Sequence, residues 1–179
     1  MAKKEFIKVY FSKILRFKNQ TMTTTTPRNF IKTLSIIHYA LLAGPLISGI
    51  IFYMNTQSVI NGSPDDIFIY ILPVIGLAGI FASKTLYSML LSPLKQKDNL
   101  QEKLAGLQTA SLVRYALVEG PALFNIIWFG QTGNLLYLTI GGVLVIYLFI
   151  LRPTKSKIES DLELKGEHQR KFNKMDEII

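Results

Sequence analysis

Four side chains of this chain carry a charge or a titratable ring inside otherwise apolar stretches: His38, Lys84, Arg114 and Glu119. Glu119 is the most informative. It lies about ten residues into its apolar run, roughly 15 Å deep at the helical rise of about 1.5 Å per residue. A carboxyl at that depth is costly, so it is either neutral or paired, and it is a functional candidate by default. Three kinds of chemistry are open to it: an ion pair that locks helices together, a carboxyl that takes up a proton or cation, or a contact with a substrate or lipid headgroup. Lys84 and Arg114 are the cations within reach. Arg114 precedes Glu119 by five positions, about 500° around a helix, which misses the favoured i,i+4 spacing. Lys84 is therefore the expected partner. Both cations can instead snorkel to the membrane interface, and His38 is either a satisfied interfacial histidine or a titrating switch.

Other chemistries lack their residues. The chain has no cysteine, which removes thiol catalysis, Cys-ligated zinc and disulfides. His38 and His168 show no HxxxH or HxxE spacing, so no metal site and no cofactor is expected. No phosphate loop, GxSxG elbow or paired carboxylates occur, so no enzymatic constellation is expected.

The elements that position these residues follow from composition. The 179 residues are 49% hydrophobic and only 18% charged, with a net charge of +8 and a mean hydropathy of +0.30. A soluble domain would carry about 25% charged residues. High hydropathy beside 20 Lys and Arg means that charge is segregated, as in a membrane protein. Four apolar runs of helix-spanning length occupy residues 33–54, 67–91, 109–130 and 134–151. Residues 1–32 carry eight Lys/Arg, the connection 93–108 three and the tail 152–179 seven, whereas the connections 55–66 and 131–133 carry none. By the positive-inside rule both termini and the middle connection are cytoplasmic. The basic charge is thus read as orientation in a bacterial cytoplasmic membrane, not as a nucleic-acid surface.

Residues 1–21 place Phe6, Ile7, Tyr10, Phe11, Ile14 and Phe17 at helical spacing among Lys and Arg, the pattern of a basic amphipathic helix on the inner membrane surface. Met22 offers a second start, which would make that segment an upstream extension. It lacks the compact apolar core and cleavage site of a signal peptide. Residues 22–32 read as a linker. The tail, with seven basic and six acidic residues, is expected to form a solvated helix from about Thr154.

The first and third runs align without a gap at an offset of 76. Thr33, Ser35, Tyr39, Ala40, Leu41, Gly44 and Pro45 lie over identical residues Thr109, Ser111, Tyr115, Ala116, Leu117, Gly120 and Pro121. His38 then corresponds to Arg114, and Ala43 to Glu119. This suggests a duplicated hairpin, two parallel repeats about an axis along the membrane normal. Pro45 and Pro121 each remove a helix donor and free a carbonyl one turn back, which lipid cannot satisfy. A kink facing the bundle interior is expected at both Gly-Pro pairs. Gly76, Gly79 and Ser83 form a small-residue stripe that lets another helix approach closely.

The segment Arg114-Tyr-Ala-Leu-Val-Glu119-Gly-Pro-Ala-Leu-Phe124 resembles the acid-bearing helix of the rotary-ATPase proteolipid (subunit c) family, and the Gly76–Gly79–Ser83 stripe resembles its glycine-rich partner helix. The likeness covers about 60 residues. It implies that Glu119 binds a transported proton or cation. Lys84, the two Gly-Pro kinks, the basic N-terminal segment and the charged tail depart from that family's pattern. The chain otherwise resembles small four-span bacterial membrane proteins, a likeness that implies no mechanism.

The expectation is an all-α integral membrane protein of four transmembrane helices, arranged as a four-helix bundle of two hairpins, with both ends inside. Functionally it is expected to be a non-enzymatic scaffold or accessory subunit with a protein partner or a second copy of itself. The alternative is an ion-translocating, proton- or cation-handling subunit built on Glu119.

Overall fold

The computed structural model describes residues 25–57 and 66–179, and all their regular structure is helical. Six helices follow in order: α1 Pro27–Asn55, α2 Phe68–Lys95, α3 Leu100–Thr132, α4 Leu135–Ile150, α5 Lys155–Asp161 and α6 Gly166–Asn173. The amphipathic helix expected within residues 1–21, and most of the loop after α1, lie outside the described residues.

Local chemistry sets the helix ends. Thr26 caps α1 by accepting from the Asn29 N–H at 3.3 Å, with Pro27 at the first helical position, where its missing donor costs nothing. The expected linker over 22–32 is therefore too long: the helix already begins at Pro27. Asn99 caps α3 and Asn134 caps α4 through their side-chain oxygens, the usual way to satisfy orphan N–H groups. Gly133 ends α3 in the left-handed region at φ 71°, and a Cβ there would strike the Gln57 carbonyl oxygen. Glycine meets both demands.

Three helices, α1, α2 and α3, are long and apolar enough to cross a membrane. α4 is apolar but has only 16 residues, about 24 Å at the helical rise. It bends by 81° into α5 across Arg152-Pro153, where proline disfavours a continuing helix. Counting that pair as one broken span brings the number to four. The chain is a multi-pass helical membrane protein on this length and composition.

α3 is the central helix and packs against α1, α2 and α4. Small residues let it: Gly106 receives Leu94, Gly130 receives Phe52, and the Gly141 backbone of α4 lies against Ile126 and the Ala122 carbonyl. α1 runs parallel to α3. His38 meets Tyr115, Gly44 meets Glu119, Gly49 meets Ile126 and Phe52 meets Gly130, separations of 77, 75, 77 and 78 positions. The two Gly-Pro pairs therefore stand at one level. Corresponding positions still differ in environment: Tyr39 is 47% exposed and Tyr115 only 2%, because α1 is peripheral and α3 central.

The tail departs from the solvated helix expected of its mixed charge. It forms two short helices, and Ile158, Leu162, Leu164 and Phe172 join Phe30, Leu34, Leu94 and Leu104 in the main core. Polar bonds complete the docking. The Arg28 N–H donates to the Met175 carbonyl and the Ile179 N–H to that of Thr25. The Gln101 side chain donates to the Ile179 carbonyl, and Arg28 pairs with Asp176. Four apolar side chains, spaced unevenly among the charges, decide the tail's state.

Candidate functional site

The four sequence candidates occupy three places. Glu119 lies half-buried between α1 and α3, with its Oε1 3.6 Å from where a Cβ on Gly44 would stand. Gly44, one position after the Ala43 that aligns with Glu119 in the sequence, makes room for the carboxyl by its missing side chain. Among the described residues no ion pair includes Glu119.

The expected Lys84–Glu119 pair is not made. α2 turns Ser83, Gly76 and Leu72 inward, and Lys84, one position and about 100° on from Ser83, is exposed. Its level is also wrong. Gly79 lies against Leu117 and Pro121, so Lys84 stands about 7.5 Å from that level toward the tail, near Arg114.

Arg114 is turned toward α2. Its guanidinium carbon lies 4.3 Å from the centre of the Tyr87 ring, a cation–π arrangement. The Tyr87 hydroxyl donates to Asp161 Oδ2 at 2.6 Å, joining α2 to α5. Lys157 donates to the Ile150 carbonyl at 2.7 Å and the Arg152 carbonyl at 3.3 Å, placing its ammonium on the carboxyl end of α4, where the helix dipole favours a cation. Burial, then repulsion from Arg114 and Arg152, lowers the pKa of Lys157. At the rim, a hydrogen bond from Lys95 and its charge hold the Glu163 carboxyl below its ordinary value; the pair is exposed and adds little to stability.

His38 is fully buried, edge-on to Tyr115 with ring centroids 4.6 Å apart. Neither ring nitrogen has a hydrogen-bond partner among the described residues. The hydrogen-bonded, satisfied histidine expected at the interface is thus not what the described residues provide. Toward the opposite end, Asp66 accepts from the Tyr137 hydroxyl and from the Phe68 N–H, pinning the starts of α2 and α4 together.

Pro45 and Pro121 both lie inside continuous helices, and the structure answers the question of the freed carbonyls at one of the two positions. Pro121 leaves the Leu117 carbonyl without its helical donor, and Gly79 of α2 approaches so closely that a Cβ would stand 2.6 Å from that oxygen. A Cα–H···O contact there is the available substitute. Gly44 makes room for Glu119, whereas Gly120 has nothing within 4 Å of a built Cβ. Of the stripe, Gly76 and Ser83 are buried and Gly79 meets α3 directly.

Sequence reasoning missed Tyr87 and Asp161. Tyr87 lies three positions from Lys84 on a span read for its small residues and for Lys84 alone, and Asp161 lies in a tail read as solvated. The signal was the run Ile158, Leu162, Leu164, whose apolar spacing demands a partner surface. Among the described residues no group of acidic or histidine side chains could hold a metal ion.

Helices of this length and hydropathy, with charged side chains confined to their ends and to these few interior positions, define a multi-pass helical membrane protein. No protein-family model, no curated protein and no solved structure matches the chain.

Proposed function

We propose that this protein is a four-span, non-enzymatic scaffold or accessory subunit of a complex in a bacterial cytoplasmic membrane, with both termini inside and two parallel hairpins descended from one. The observation that carries this reading is the docked tail. Its apolar residues join the core, and its end is bonded to the starts of α1 and α3. What it leaves outward is a fixed, charged surface bearing Arg170, Lys171 and Glu167, the kind of face on which a partner binds without first ordering a loose chain. A photo-crosslinker at Arg170, introduced in cells, is expected to yield a discrete adduct with another polypeptide. Absence of any adduct at Arg170 and Glu167 alike would overturn the scaffold reading.

A second reading makes Glu119 a proton- or cation-handling carboxyl in a proteolipid-like subunit. A specific observation favours it: the expected cation partner faces away, and Glu119 makes no ion pair among the described residues. An unpaired carboxyl in an apolar setting is cheapest when neutral. Hydrophobic carbodiimides modify protonated carboxyls in apolar surroundings. On this reading the protein in lipid is labelled at Glu119, labelling falls as pH rises from 5 to 9, and Glu119→Gln abolishes it. No labelling across that range, with wild-type stability retained by Glu119→Gln, contradicts it.

A further inference from the structure

Where α2, α3 and α5 converge, the side chains enclose a small cavity lined by Tyr87, Ser111, Arg114, Tyr115, Lys157 and Asp161. We propose that it is a binding site for an oxyanion of the phosphate class, with Arg114 as the anchoring residue. Arg114 is held by its ring contact with Tyr87, but its donors are not used: its Nε is buried without a partner, and no ion pair includes Arg114 among the described residues. A guanidinium carries five N–H donors in a fixed fork suited to phosphate. Arg114 is partly buried, and an unpaired cation partly withdrawn from solvent costs free energy that an anion would recover.

The one carboxylate lining the cavity is already engaged. Asp161 accepts the Tyr87 hydroxyl at 2.6 Å and makes no ion pair with Arg114 among the described residues. Against its single negative charge stand Arg114, Lys157 and the neighbouring Arg152, close enough that the first and last repel Lys157. The surplus is positive, and Ser111 and Tyr115 add hydroxyls to the wall. The cavity holds about 20 Å³, room for one water-sized group. The ligand therefore inserts an oxygen toward Arg114 and leaves the rest of its phosphate outside the cavity.

A phospholipid headgroup and a free phosphate share this chemistry. Arg114 stands midway along α3 but only five residues from the tail-side edge of its apolar run at Thr109, about 7.5 Å, within reach of the headgroup level, so the lipid source rests on the membrane reading; the free ion does not. The test uses the purified full-length chain. Thermal unfolding is followed in detergent with added inorganic phosphate, and in vesicles of phosphatidylcholine alone or mixed with phosphatidylglycerol. Stabilisation by the mixed vesicles that inorganic phosphate does not reproduce identifies a headgroup, and stabilisation by phosphate in detergent identifies the free ion. In either case Arg114→Gln is expected to weaken the response about tenfold or more in apparent affinity, Arg114→Lys to retain part of it, and Lys157→Gln to weaken it less. Lys157→Gln also keeps the proposal testable if Arg114→Gln does not fold. A wild-type protein that responds to neither probe overturns the proposal, as does an equal response in the Arg114→Gln and Lys157→Gln variants.

Discussion

Phe172→Ala is expected to release the tail from the protein. Phe172 is fully buried although its helix, α6, has only eight residues and is otherwise mostly exposed. Such a helix is too short to persist alone in water. Its anchoring comes from this ring and from Leu164, Leu162 and Ile158 before it. Truncating a buried phenylalanine costs about 3–5 kcal/mol, which exceeds what the exposed Arg28–Asp176 and Lys95–Glu163 pairs can restore, since such pairs are each worth about 0–1 kcal/mol. Limited trypsinolysis of the protein in lipid reads the effect. Cleavage at Lys165, Arg170 and Lys171 should become fast in Phe172→Ala while α1 to α3 stay intact. Cleavage at the wild-type rate would mean that the tail is held by something other than this core.

Gly79→Ala is expected to be the most damaging single-methyl addition in the spans. The added Cβ would stand 2.6 Å from the Leu117 carbonyl oxygen and 2.9 Å from Pro121 Cγ. Neither neighbour is the loose end of a flexible side chain. One is helix backbone and the other a proline ring, so α2 must move away from α3. Overpacking of this kind costs about 1–3 kcal/mol, and withdrawal would also uncover the carbonyl that Pro121 deprives of its donor. Gly120→Ala is the matched control: nothing lies within 4 Å of a Cβ built there, and alanine is the better helix former by about 1 kcal/mol. Unfolding of the two variants in mixed micelles should separate them by well over 1 kcal/mol, with Gly79→Ala the weaker. Equal stabilities would refute the close α2–α3 contact at this level.

The contrast between these glycines shows how far sequence reasoning reaches. Hydropathy marked the apolar runs because burial in lipid acts on a whole window of residues. The same windows undershot the helices, since α3 begins at Leu100 and α1 at Pro27, where polar residues extend a helix without adding hydropathy. The Gly76–Gly79–Ser83 spacing announced a close helix contact, and Gly79 supplies it. Partner choice was not legible. Reach alone pairs Lys84 with Glu119; the stripe marks the contact face of α2, and Lys84, about 100° on from Ser83, is turned out of it, while Arg114 lies over Tyr87. The tail was misread because its net composition is that of a solvated segment, whereas four apolar side chains among the charges determine where it lies.

The most direct test of the whole arrangement is whether α4 crosses the membrane, because its 16 residues are the shortest of the four apolar helices and everything said of the tail's compartment depends on it. The chain contains no cysteine, so single cysteines report cleanly. Gln131→Cys, in the exposed end of α3, and Lys171→Cys, in the exposed face of α6, would be treated with a membrane-impermeant maleimide in intact cells and again after permeabilisation. With four spans and both termini inside, Gln131→Cys reacts in intact cells and Lys171→Cys reacts only once the membrane is opened. If both positions react in intact cells, α4 does not cross, the chain has three spans, and the tail cannot be a cytoplasmic docking face.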